Sequence, residues 1–302
     1  MKPSPPVRAA SLATLVAIWG TTWAVIRIGL GGIPPLTGVA LRFGIAGLLL
    51  WGAALAIGLR GARLRAPPWL WTAQGLLTFG VSYGLVYWGE QWVPTGLTAV
   101  LFATFPLWVA VLAHFALPGE RMRPLGVLGL LLALGGVALL FAQDLEALGG
   151  PRVAAASALL LLAPLSSAIA QIVVKRLGRD VHPLTLNAGS MLLASGVMGT
   201  LALLFERHRA VRFDAASVGS LLYLAILGTC VTFSLYFWLL RHMTATGLSL
   251  TAYAIPVVAM VVGSVVFDEP VTLPLLLGGL LVVAGTALAA VRRSSPGEPA
   301  SE

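Results

Sequence analysis

LGLLLALGGVAL at residues 128–139 returns as LGGLLVVAGTAL at residues 277–288. Each copy lies eight residues after a glutamate, Glu120 in one case and Glu269 in the other. Working outward, Pro35-Leu36-Thr37 comes back as Pro183-Leu184-Thr185. Trp88 and Pro106 find counterparts 150 residues further on in Trp238 and Pro256, and the register slips by one at Glu120. The chain is written twice, and both copies are dominated by apolar residues.

Composition says what kind of chain is duplicated. Of its 302 residues 58% are hydrophobic and 10% charged, with a mean hydropathy of +0.94. Soluble domains carry about 25% charged residues, so a water-soluble globule is excluded and a lipid bilayer is the expected surrounding. The net charge of +8 sits in short clusters between apolar runs, a distribution that marks topology and not a nucleic-acid face. Cys230 stands alone, which rules out an intrachain disulfide and an all-cysteine metal site. Lys2 and Arg8 precede a first apolar stretch that reads as a retained span, not a cleaved signal. The Ser-, Pro- and Glu-containing segment 294–302 reads as a disordered cytoplasmic tail.

Apolar runs bounded by charges and turn residues predict an all-α integral membrane fold of ten transmembrane helices. They fall at 10–31, 36–59, 69–89, 95–117, 124–142, 153–174, 184–205, 218–240, 246–267 and 271–291. With both termini in the cytoplasm, thirteen Lys and Arg fall on the inner side and four on the outer. The Glu206–Arg212 connection breaks that bias locally. Five spans per copy is an odd number, so the second copy enters the membrane upside down. This predicts two inverted five-helix repeats, 1–149 and 150–293, an arrangement associated with alternating access.

The residues also resemble a family. Trp19-Gly20-Thr21-Thr22-Trp23, the Pro-Leu-Thr entry to the second span, and Tyr83 with Tyr87-Trp88 in the third are similar to the EamA-type family of the drug/metabolite transporter superfamily. So is the segment from Pro106 to Gly119-Glu120-Arg121, followed by Gly135-Gly136. The resemblance covers roughly 10–291. It implies ten helices, cytoplasmic termini and movement of small metabolites, often amino acids and often outward, through the inner membrane.

Within the spans, Arg27 and Arg42 are the rare charges, and such charges face a cavity, a partner or the interface. Either guanidinium could grip a substrate carboxylate in bidentate fashion, with Glu90 as the nearest counter-ion. Trp19, Trp23 and Arg27 recur every four residues along one face of the first span, and Tyr83, Tyr87 and Glu90 do much the same on the third. These six, with Arg42, are candidate substrate-binding residues. Gln171 joins them because it matches Trp23 in the 148-residue register of the repeat, which sets it across the cavity from a cavity-facing Trp23. Asn187, the other amide, suits an interhelical hydrogen bond. Pro106 and Pro256 interrupt equivalent spans and are candidate hinges. Gly126, Gly129, Gly136, Gly278 and Gly285 suit close packing of spans five and ten, which would stand outside the cavity as supports. The repeat is asymmetric at the candidate site: Tyr83, Tyr87, Glu90 and Arg42 become Phe233, Phe237, Leu240 and Ser190.

No acidic residue lies in mid-span, and no phosphate loop, metal-ligand cluster or nucleophile–base pattern is present. No cofactor or metal is expected. Glu90 or His114 could couple to protons, and facilitated movement is equally open. The leading expectation is a secondary transporter of amino acids or related carboxylates, exporting them as a monomer or homodimer in the lipid bilayer. Efflux of cationic drugs is the rival, because an aromatic cavity suits cations. An integral-membrane enzyme is a distant third.

Overall fold

The computed structural model describes residues 4–59, 66–117, 124–142, 150–178, 181–242 and 251–290. The expected tail 294–302, the 246–250 start of the expected ninth span, and Glu120 lie outside them.

Among the described residues every regular element is helical. The first two helices are α1 (Pro5–Leu30) and α2 (Pro35–Ala56). Helix α3 joins Pro68–Gln74, a π-helical turn Gly75–Ser82, and Tyr83–Gly89. Helix α4 runs Thr95–Phe102, breaks at Ala103 and Thr104, and resumes as Phe105–Ala116. Helix α5 (Pro124–Ala142) is followed by α6, which is Pro151–Leu160 and Leu162–Leu177. Helix α7 (Pro183–Phe205) leads to α8, where a second π-helical turn, Ile226–Val231, separates Ala215–Ala225 from Thr232–His242. Helices α9 (Thr251–Phe267) and α10 (Leu273–Ala290) complete the series.

Proline writes many of these beginnings. Pro35, Pro68, Pro151 and Pro183 occupy first helical turns, where a missing N–H costs nothing. Six helices (α1, α2, α4, α6, α7 and α8) are long and apolar enough to cross a membrane, while α5, α9 and α10 are apolar but shorter. The molecular surface carries Phe115, Leu131, Leu203 and Leu280, side chains that lipid tails accept and water does not.

The main interfaces join the first part of the chain to the second. Helix α5 packs on α10, α2 on α7, α1 on α9 and α4 on α6. Exchanging the halves maps α2–α7 and α5–α10 onto themselves and interchanges α1–α9 with α4–α6. The self-mapped pairs run antiparallel: Gly44 approaches Ser195 while Gly47 approaches Leu192, and Gly136 approaches Gly278 while Gly285 approaches Ala133. A Cβ on Gly136 would lie 2.7 Å from the Gly278 carbonyl, and one on Gly285 would lie 2.4 Å from the Ala133 nitrogen. These glycines let α5 and α10 meet backbone to backbone, the mode by which helices associate in lipid.

Three connections meet at one end of the bundle. Arg212 donates its backbone N–H to Gly32 O at 2.8 Å and its Nη2 to Gly31 O at 2.8 Å. Arg209 donates to Gln91 Oε1 at 3.2 Å. The charge-rich Glu206–Arg212 connection thus bonds Arg212 to the α1–α2 turn and Arg209 to the α3–α4 turn.

Candidate functional site

Arg42 is the largest side chain that the fold buries almost completely, with 1% of it exposed. Its Nε donates to Thr229 Oγ1 at 3.1 Å and its Nη2 to Gly228 O at 3.3 Å. The guanidinium carbon sits 4.8 Å from the Tyr83 ring centroid and 5.3 Å from that of Phe43. Phe43 and Tyr83 meet edge to face at 4.9 Å, and Phe79 packs on Phe43 at 4.9 Å and on Phe233 at 6.0 Å. A desolvated cation is thus held over aromatic faces, a favourable seat for it. Its Nη1 is buried with no hydrogen-bond partner. The Nε and Nη2 side, the usual fork for a carboxylate, is taken by α8, so an incoming anion would meet the Nη1 end.

Glu90 follows the last turn of α3 with 2% of its surface exposed, and neither carboxylate oxygen has a hydrogen-bond partner. It lies within electrostatic reach of Arg27, Arg42 and Glu269. The Tyr87 hydroxyl, in a side chain 4% exposed, lies beside the Arg42 guanidinium without a hydrogen bond of good geometry and also feels Glu90. Trp23 stacks on Phe102 at 5.4 Å with its indole N–H buried and unpartnered. Buried polar atoms are nearly always paired, because leaving one unpaired costs about 1–3 kcal/mol. Arg42, Tyr87 and Glu90 bring three such groups within electrostatic reach of one another, and Trp23 adds a fourth in the same core.

Not every expected residue joins them. Trp19 lies at the α1–α8 interface against Phe233 at 6.3 Å and Tyr236 at 5.7 Å, joined to the cluster only through Phe233. Arg27 does not use Glu90 as counter-ion. It pairs with Glu269 and lies 4.8 Å from the Phe267 ring centroid. Glu269 also accepts from the backbone N–H groups of Thr95 at 2.8 Å and Gly96 at 3.2 Å, the first turn of α4. The helix dipole and the guanidinium hold the same carboxylate, so Arg27 is committed to a structural pair. Gln171 is exposed on α6, whereas Trp23, its match in the repeat register, is buried. Asn187 accepts from Gln74 Nε2 at 2.7 Å and donates to Pro183 O at 3.0 Å, the interhelical role expected of it.

The two prolines differ. The break at Ala103 and Thr104 directly precedes Pro106, whereas α9 runs unbroken through Pro256. A second carboxylate, Glu206, repeats the Glu269 device at the start of α2. It accepts from Leu36 N and Thr37 N, both at 2.9 Å, and from Thr37 Oγ1 at 2.8 Å. Sequence reasoning missed Thr229, Gly228 and these carboxylate roles. Only the recurrence of Glu269 after Glu120 hinted at one of them.

Comparison with known proteins agrees with this architecture. The profile of the EamA-like transporter family matches residues 8–142 and again 155–291. The chain is 33% identical over 261 residues to the "Uncharacterized inner membrane transporter YedA" of Escherichia coli K12, covering 84% of this chain and 81% of that one. It is 29% identical over 284 residues to the "Uncharacterized transporter YoaV" of Bacillus subtilis, covering 91% and 93%. It is 28% identical over 286 residues to the "Probable terminal-alkyne amino-acid exporter" of Streptantibioticus cattleyicolor, covering 92% and 91%. A crystal structure 23% identical in sequence shares the fold with a TM-score of 0.69 over 95% of this chain and 97% of its own. Two matches to one profile, apolar helices of spanning length and relatives named as transporters lead to one assignment: the chain is a multi-pass membrane protein of the EamA-like transporter family.

Proposed function

We propose that the chain is a secondary transporter that exports small metabolites, amino acids or related carboxylates, across the cytoplasmic membrane by alternating access. In this reading all ten helices span the bilayer as two inverted repeats, 1–149 and 150–293, with both termini in the cytoplasm. The antiparallel packing of α2 on α7 and of α5 on α10 supports inversion, because equivalent helices of inverted repeats must run in opposite directions. The molecule acts as a monomer or homodimer in lipid.

One observation carries the substrate class: Arg42 is buried with Nη1 unpartnered, and Glu90 is buried beside it in electrostatic terms with both oxygens unpartnered. A buried polar group without a partner is costly whether charged or neutral, and a zwitterion brings a partner both to the Arg42 guanidinium and to the Glu90 carboxyl group. Arg42 receives the carboxylate, Glu90 the ammonium group, and Tyr83, Tyr87 and Trp23 the side chain. The exporter among the relatives, named for an amino acid, lends support to this class. On the expected outer side, Glu269 with Arg27 and Glu206 hold α4 and α2 closed, and the interruption before Pro106 gives α4 a place to bend. Flux of a labelled amino-acid panel into proteoliposomes tests the reading. Transport that Arg42→Gln abolishes supports it, and no flux of any carboxylated solute refutes it. Repeating the flux under an imposed pH gradient decides coupling.

Glu90 gives the cation-efflux reading one specific support, a buried carboxylate among aromatic rings. Drug resistance on expression that needs Glu90 but survives Arg42→Gln would favour that reading instead.

A further inference from the structure

We propose that the π-helical turn of α8 serves to aim Arg42, with Thr229 as its positioning residue. The inference rests on Arg42 being the carboxylate-binding group.

A π turn moves backbone bonding from the fourth residue to the fifth, and such turns cluster at functional sites. In Ile226–Val231 the shift exposes two acceptors on one side. Gly228 O takes Nη2 of Arg42, and Thr229 Oγ1 takes Nε. The Thr229 hydroxyl is itself oriented, because it donates its proton to Leu224 O, five residues back, at 2.8 Å. With its hydrogen committed there, its lone pairs face the guanidinium. A Cβ on Gly228 would lie 3.0 Å from Thr22 Cγ2, so glycine is what lets this turn settle against α1 and reach Arg42. Tyr83 fixes the guanidinium plane from the third direction. Three restraints leave Nη1 as the free end.

The other half carries the same backbone device. Offset by the 150-residue repeat, 226–231 falls on 76–81, inside the π-helical turn Gly75–Ser82 of α3. There Leu77 O accepts from Ser166 Oγ of α6 at 2.8 Å. In both halves the wide turn offers a carbonyl to a side chain from a helix of the opposite half. Only the turn of α8 receives a cation. A lysine at position 42 would not reproduce this geometry, because its three N–H donors radiate from one nitrogen, whereas the planar guanidinium sets Nε and Nη2 toward α8 and carries Nη1 as a separate donor.

Two measurements on the full chain in lipid nanodiscs and proteoliposomes test the proposal. The first needs no substrate. In protein labelled with ¹⁵N-arginine, the Nε–H resonance missing from Arg42→Gln belongs to Arg42. It is expected to be protected from exchange with water in the native protein and in Thr229→Ser, and to lose protection in Thr229→Val. Unchanged protection in Thr229→Val overturns the proposal, whatever the flux. The second compares tritiated L-phenylalanine with phenethylamine, the same molecule without a carboxylate. Thr229→Val is expected to raise KM for phenylalanine about tenfold, as loss of one hydrogen bond to a charged group implies. It should leave the maximal rate and phenethylamine movement unchanged, and Thr229→Ser should restore KM. Equal KM in Thr229→Val and the native protein, with Arg42→Gln inactive, overturns the positioning role but keeps the substrate reading. Absence of phenylalanine flux in the native protein counts against the substrate reading, and the exchange measurement still decides the role of Thr229.

Discussion

Glu269→Gln weakens the contact that pins the start of α4 to Arg27. In the native protein Oε1 accepts from Arg27 and from Thr95 N–H, while Oε2 accepts from Gly96 N–H. Glutamine keeps one acceptor and turns an NH2 toward the other donor. The lost amide bond to a charged acceptor is worth about 1.5–3 kcal/mol. The charge–dipole term adds about 0.3–1 kcal/mol. The ion pair adds only about 0.2–1 kcal/mol, because the Arg27 side chain is 37% exposed and water screens it. The total is roughly 2–5 kcal/mol, and every 1.4 kcal/mol is tenfold in an equilibrium. If this contact exists only with the outer side closed, the open population rises by roughly 30- to 4,000-fold. The reporter is Leu97→Cys in a Cys230→Ser background. Leu97 is 2% exposed, lies in the first turn of α4 and lines a small cleft with Glu269 and Met260. An impermeant maleimide added outside intact cells should label it at a rate that rises with the open population. An unchanged rate in a correctly inserted Glu269→Gln protein would refute the gating role.

Three further outcomes follow from the same geometry. Gly285→Ala, whose Cβ meets the Ala133 and Gly129 backbone at 2.4 and 2.5 Å, should destabilise the detergent-solubilised protein by about 1–3 kcal/mol in a thermal melt, while Gly135→Ala, with nothing within 4 Å, should be neutral. Asp214 caps α8 by accepting from Ser217 N–H at 2.8 Å, and this bond lowers its carboxyl below the usual range. Its folded value is depressed, so its stabilisation is full above the ordinary carboxylate range and is lost as pH falls through the lowered value. Amide exchange at Ser217 should accelerate there, and Asp214→Asn should remove the pH dependence. Pro106→Ala should lower transport turnover more than Pro256→Ala, because only Pro106 follows a helix break; equal effects would put the hinge elsewhere.

Much of the architecture was legible because bilayer solvation writes itself along the chain. Apolar runs and proline starts placed the helix ends within a few residues, as at Pro35, Pro124 and Pro183. Arg42 was legible too, since a charge within a span rarely lacks a purpose. Its partners were not. Thr229 lies 187 positions away, and the turn that presents it has no hydrophobic period to betray it. Glu269 was visible as a repeated residue, yet its reach to Arg27 crosses 242 positions. The exposure of Gln171 was not legible, because a repeat register matches positions along the chain, while burial depends on the packing of each half's own neighbours.

The principal neighbours of α2, α5, α1 and α4 all come from the second half of the chain. In the proposed ten-span arrangement the first five helices therefore enter the lipid during synthesis before their partners exist. The backbone faces of Gly44, Gly47 and Gly136 then wait against acyl chains until α7 and α10 emerge. A fragment ending near residue 149 would keep its helices and lose its tertiary structure. Supplied with a second fragment carrying α6 to α10, it would have the surfaces to rebuild the whole. A sequence doubled in one reading frame is thus, in assembly terms, a pair of subunits whose stoichiometry the covalent link has fixed.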